Sequence, residues 1–169
     1  PSISSLSEHK DDMYRVAELW KKYLEEAGVD KAQIYDTKGH PILYAEKIID
    51  PAKPTVLVYG HMDVMPVDPI ELWDSKPFEP EIRDGKIYAR GAIDDKGPTM
   101  ASYFALKFLK EMNFESNKRI RIILGTDEET KWRGIQEYFK TEEMPEIGFA
   151  PDAAFPLIYG EKGIFTFDI

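Results

Sequence analysis

Apolar residues recur at helical spacing near the start of the chain. Met13, Val16, Trp20, Tyr23, Leu24 and Ala27 fall on one face and predict a helix from about Glu8 to Ala27. Ser7 is placed to cap it, and Gly28 fits the left-handed stop position. Two short strands are expected near Gln33–Asp36 and Ile42–Lys47, with Lys38-Gly39 as the turn. Thr55–Tyr59 is a continuous apolar run rich in β-branched residues, which suits a strand buried on both faces of a parallel sheet. Proline breaks the segment from Pro66 to Pro80, and Glu81–Ala89 reads as a hairpin turning at Asp84-Gly85. Gly97-Pro98 opens a second helix, with Ala101, Ala105, Phe108, Leu109 and Met112 as its apolar stripe. Arg119–Gly125 predicts another buried strand, Trp132 to Lys140 a shorter helix, and Phe149–Asp152 a short strand leading into a carboxylate. Leu157–Tyr159 and Ile164–Ile169 are further candidate strands. Strand–helix–strand alternation of this kind predicts an α/β fold: three layers, αβα, with a mostly parallel central sheet and helices on both faces.

Composition narrows the function classes. The 169 residues are 43% hydrophobic, enough for a real core, and 22 basic against 31 acidic side chains give a net charge of −9. An acidic chain argues against a nucleic-acid partner, which needs a basic face. No apolar run approaches the roughly 20 residues that span a bilayer, so no membrane partner is expected and a soluble, cytoplasmic protein is. Cys is absent, which removes disulfides, thiolate ligands and Cys nucleophiles. His occurs only at positions 9, 40 and 61, so any metal site must rest mainly on carboxylates.

Such groups follow the expected strands. His61 and Asp63 come after the first buried strand, Glu128 and Glu129 after the second, and Asp152 after a third. Asp94 and Asp95 lie in the loop Arg90-Gly91-Ala92-Ile93-Asp94-Asp95-Lys96-Gly97. Open α/β sheets place ligands at this edge. Imidazole plus carboxylates suits zinc, manganese or cobalt, and a carboxylate can bridge two ions. Each piece alone has an ordinary structural reading: a capped turn, a solvated turn, a helix N-terminus. Their joint occurrence at strand ends is the signal.

The ordered motifs Gly60-His61-Met62-Asp63-Val64, Trp73, Pro77-Phe78, Arg90 through Gly97 and Thr126-Asp127-Glu128-Glu129 resemble the di-zinc exopeptidase family of aminoacylase, carboxypeptidase G and the carnosine and nonspecific dipeptidases. Residues 67–73 and 82–86 are similar to the carnosine and cytosolic nonspecific dipeptidase branch. Residues 125–129 and 151–156 are similar to bacterial dipeptidase V. The resemblance implies the phosphorylase/hydrolase-like catalytic domain of zinc exopeptidases and hydrolysis of dipeptides or short peptides. It implies two Zn²⁺ ions, with Mn²⁺ or Co²⁺ as substitutes. Carried over by position, His61 and Asp152 hold one ion, Glu129 the other, and Asp94 bridges both. Asp63 accepts the second ring N–H of His61, and Glu128 is general base and acid. A cis peptide between Asp94 and Asp95 is implied as well.

The same resemblance implies that residues 1–169 are a partial catalytic domain, without the inserted lid, through which a homo-oligomer would form, and without the C-terminal catalytic segment. That segment carries a last His ligand, and neither His9 nor His40 is placed to supply it. The second ion would then have only Asp94 and Glu129, so the piece made alone is expected to be nearly inactive. The alternatives are an N-acyl amino acid deacylase or desuccinylase with the same core, and a non-catalytic binding domain that keeps the fold. Retention of both Glu128 and Glu129 speaks against the second. Trp73, Phe78 and Trp132 are candidates for a pocket wall or for the core, and Lys96 for orienting Asp94 or Asp95.

Overall fold

The computed structural model describes all residues except Ile49, Ala153, Phe155, Ile164, Thr166, Asp168 and Ile169. A short 3-10 turn, Ser7–His9, leads into helix α1, Lys10–Glu26. Ser7 therefore lies inside the turn, and no side chain caps α1: the structure corrects the expected cap. The helix buries Met13, Ala17, Trp20 and Leu24, and it stops where Gly28 takes φ +88°, a conformation that costs a side-chain-free residue little.

Five strands form one sheet in the order β1-β2-β6-β3-β7. They are β1 (Lys31–Tyr35), β2 (Ile42–Lys47), β3 (Thr55–His61), β6 (Arg119–Gly125) and β7 (Ile147–Phe149). The sheet is mixed. β1 pairs antiparallel with β2 and β2 with β6, while β6, β3 and β7 run parallel. The parallel register, Thr55 opposite Arg119 through His61 opposite Gly125, brings the ends of β3 and β6 to one edge. Strands β4 (Glu81–Arg83) and β5 (Lys86–Tyr88) form the expected separate hairpin. The Pro-rich segment before it holds only a 3-10 turn at Ile70–Leu72.

Helices cover both faces. Helix α1 and helix α2 (Lys96–Glu111) bury Trp20, Leu24, Tyr103 and Leu106 against Leu43, Val58, Ile122 and Leu124. Helix α3 (Arg133–Tyr138) packs Ile135 and Tyr138 on the other face, against Ile42, Tyr44 and Ile123. On that face the buried Glu46 carboxylate takes the Arg119 Nε–H at 3.0 Å. Strand β6 thus turns Arg119, Arg121 and Ile123 toward the α3 face and Ile120, Ile122 and Leu124 toward α1 and α2.

Three expectations need correction. Helix α2 starts one residue before Gly97, so Pro98 stands third in it rather than first. Its buried face is Thr99, Tyr103 and Leu106, whereas Phe108 and Met112 are 60% and 58% exposed. Helix α2 carries apolar residues on two stripes, and periodicity does not say which one meets the sheet. Leu157 and Tyr159 are exposed, and no strand forms there among the described residues. The strand expected over 164–169 lies, in its greater part, outside the described residues.

Candidate metal centre

His61 ends β3 and is fully buried. Its Nδ1 lies 3.1 Å from the Asp63 carbonyl oxygen and 3.4 Å from Asp63 Oδ1, both acceptors, so Nδ1 carries a proton. Its Nε2 points at Asp94 Oδ1 (3.0 Å) and Asp152 Oδ2 (3.2 Å), with Glu128 Oε2 at 3.9 Å. No hydrogen-bond geometry satisfies that buried nitrogen. One ligand atom each from His61, Asp94 and Asp152 lies within 4.8 Å of the others.

A divalent cation fits this arrangement. A neutral imidazole with Nδ1 hydrogen-bonded presents its Nε2 lone pair to the carboxylates, the donor set of zinc or manganese. Burial alone disfavours a charged ring at His61. The hydrogen bond and charge of Asp63, with the charges of Glu128 and Asp95, outweigh it and push His61 up to about 10. Burial pushes the Glu128 carboxyl up, and the charges of Asp63, Asp152 and Asp94 add to this while His61 opposes it. Burial and the charge of Asp94 raise Glu129 in the same way.

Asp63 behaves oppositely. Burial would raise it, but hydrogen bonding and the charge of His61 hold it below its ordinary value. Its carboxylate accepts the backbone N–H of Glu128 at Oδ1 (3.2 Å) and of Glu129 at Oδ2 (3.1 Å). The family resemblance implies Asp63 as the acceptor of the ring N–H. In the structure the nearer acceptor is its own carbonyl, and the carboxylate chiefly grips the Glu128-Glu129 turn.

The sequence places Asp95 beside Asp94 but gives it no role of its own. It is buried, joined to Asp94 by a cis peptide, and its Oδ2 accepts the His61 backbone N–H (3.0 Å) and the Thr99 hydroxyl (2.8 Å). A Cβ on Gly60 would stand 2.3 Å from Thr99 Oγ1, so only glycine lets β3 approach α2 this closely. The signal was present: Thr99 stands four residues after Asp95, one helical turn away. Asp127, also buried, accepts the Gly134 N–H at the start of α3 (2.9 Å).

The aromatic candidates divide. Trp73 Nε1 donates to the Val67 carbonyl (3.0 Å) and its ring lies under the Arg90 guanidinium, so it braces the Pro-rich segment. Phe78 is half-buried. Trp132 is 44% exposed and donates to the Tyr59 hydroxyl. His9 bonds Asp12, and His40 donates to the Ser4 carbonyl. Lys96 donates to Ser2 Oγ rather than to Asp94 or Asp95.

At one edge of the α/β sheet, His61 at the end of β3, Asp94 in the loop before α2 and Asp152 after β7 form a group that could hold a cation. The chain belongs to peptidase family M20/M25/M40, whose profile matches residues 57–168. Over 107 residues it is 62% identical to YtjP of Bacillus subtilis, a candidate dipeptidase; the match covers 63% of this chain and 23% of that protein. A candidate dipeptidase of Staphylococcus saprophyticus is 61% identical over 109 residues, again 64% of this chain and 23% of the relative. The chain thus spans about a quarter of the length of these relatives. Among solved structures, an M20 family metallo-carboxypeptidase of Sulfolobus solfataricus is 45% identical with TM-score 0.68, covering 76% of this chain and 28% of that one. Human carnosine dipeptidase 1 superposes with TM-score 0.72 at 27% identity, over 82% of this chain and 32% of its own. No helix among the described residues is long and apolar enough to cross a membrane.

Proposed function

We propose that the protein hydrolyses dipeptides or short peptides with the aid of divalent metal, and that residues 1–169 form part of its catalytic domain. The observation that carries this reading is the unpartnered His61 Nε2, aimed between Asp94 and Asp152 with Glu128 just beyond. His61 and Asp152 would hold one zinc, Glu129 a second, and Asp94 both. When bound, the metals acidify a water and polarise the scissile carbonyl. Glu128 takes a proton from the attacking water as the new C–O bond forms. It delivers that proton to the amine nitrogen as the C–N bond breaks. A base with a raised pKa, as burial gives Glu128, holds the proton long enough to pass it on. Asp63 fixes the turn that carries Glu128 and keeps the His61 ring in its tautomer. A cytoplasmic location belongs to the same proposal.

Glu128→Gln is the deciding variant. Turnover of a dipeptide panel should fall by at least about a thousandfold, in line with loss of a general base together with its charge, while bound zinc stays near the parent level. Full activity in Glu128→Gln would remove the assignment. The same panel run with N-acyl amino acids separates the peptidase from a deacylase.

A further inference from the structure

Residues 2–4 run as a strap beneath the loop that follows His61. Ser2, Ile3 and Ser4 are all buried. Ile3 forms a parallel bridge with Val64, and the Val64 N–H donates to the Ser2 carbonyl at 2.9 Å. On the far side His40 donates to the Ser4 carbonyl at 2.9 Å, so the loop between β1 and β2 holds the strap in place. The Ser2 hydroxyl donates to the Met62 carbonyl (2.7 Å) and accepts from the Lys96 ammonium (2.8 Å). A hydroxyl does both through a single atom.

Met62 follows His61, and Lys96 stands two residues after Asp94. The chain of bonds Met62–Ser2–Lys96 therefore ties the end of β3, which supplies His61, to the start of α2, just after Asp94, although these are far apart in sequence. We infer that Ser2 and Lys96 are positioning residues, a cross-link that sets the spacing of the His61 and Asp94 donor atoms. This rests on the reading of those two residues as metal ligands. Outer partners that orient ligands commonly change metal affinity by about 10–100-fold when removed. Ser2→Ala removes one oxygen and breaks both bonds. Lys96→Met keeps the aliphatic stem and removes the donor.

Zn²⁺ affinity of the protein, measured by competition with a chromogenic chelator, tests the inference without reference to turnover. Each single variant should bind Zn²⁺ at least about tenfold more weakly. The double variant should be no worse than the weaker single, within about threefold, because both substitutions cut one chain of bonds. Affinities within about twofold of the parent in both singles would overturn the inference. So would losses that multiply in the double, or a fall in metal-free melting temperature with Zn²⁺ affinity unchanged, the mark of a merely structural strap. Ser2→Ala decides the matter should Lys96→Met fail to fold. A parent protein that binds no Zn²⁺ defeats the metallopeptidase reading and this inference together; a binding parent with equally binding variants defeats the inference alone.

Discussion

The two oxygens of Asp63 each accept one backbone amide, from Glu128 and from Glu129. A carboxylate is the only side chain of this size that offers acceptors on both sides. Asp63→Asn keeps the shape but turns one acceptor into an NH₂ donor facing an amide N–H. It should destabilise the protein by roughly 1–3 kcal/mol, the cost of an unsatisfied buried polar group. It should also lower kcat by about 10–100-fold, as loss of an outer partner does at metal sites. Chemical denaturation and steady-state kinetics check the two parts; a variant with parent stability and kcat would show that the grip on the turn does not matter. At this scale the sequence displayed the chemistry and concealed the supports. His61, Asp94 and Asp152 stand out because imidazole and carboxylates at strand ends are conspicuous. The bonds that hold them join residues 34, 60 and 94 positions apart, for Asp95 to His61, Ser2 to Met62 and Lys96 to Ser2, and no local pattern encodes such separations.

At the scale of elements, β2 and β6 bury Tyr44 beside Glu46, and α3 lays Tyr138 on the same face. Burial pushes Tyr138 up to about 12, with Arg121 opposing. Burial, with the hydrogen bond and charge of Glu46, raises Tyr44 further. Burial also raises Tyr59 against the pull of its bond from Trp132. Unfolded tyrosine ionises near 10. A folded value above the unfolded one means the stabilisation is complete below pH 10 and is lost as pH rises through the folded value. Each buried tyrosine then removes about 1.4 kcal/mol per pH unit above 10. Urea melts from pH 9 to 12 should show a steep alkaline fall, and Tyr138→Phe should make it shallower; a flat profile would contradict the burial argument. Strand β2, the hairpin of β4 and β5, and the buried runs of β3 and β6 were legible because period and turn chemistry agree there. The buried stripe of α2 was not, because both of its stripes are apolar and only the sheet chooses between them. The pairing of Glu46 with arginines was hidden for a related reason: in a strand, alternation shows that a residue faces one side, not what waits for it there.

For the whole molecule, the net charge of −9 is distributed with a purpose at one edge of the sheet. Asp63, Asp94 with Asp95, Glu128 with Glu129, and Asp152 come from four separate segments, and Asp94 and Asp152 converge on His61. Mutual repulsion is part of what raises Glu128, Glu129 and Asp95, after the burial that dominates each. A fold that gathers like charges in this way is under tension without a cation and is relieved by one. Binding to the folded state alone stabilises by about 2.7 kcal/mol when free metal is at 100 times Kd. For a domain of this size, each kcal/mol moves Tm by roughly 2–4 °C. Stripping metal with a chelator should therefore lower Tm by about 5–10 °C from the zinc-saturated state, and added Zn²⁺ should restore it. The same cycle on His61→Ala should show a much smaller shift, because the imidazole that anchors the cluster is gone. A parent Tm that ignores both chelator and zinc would mean that these carboxylates meet at the sheet edge for some purpose other than holding a cation.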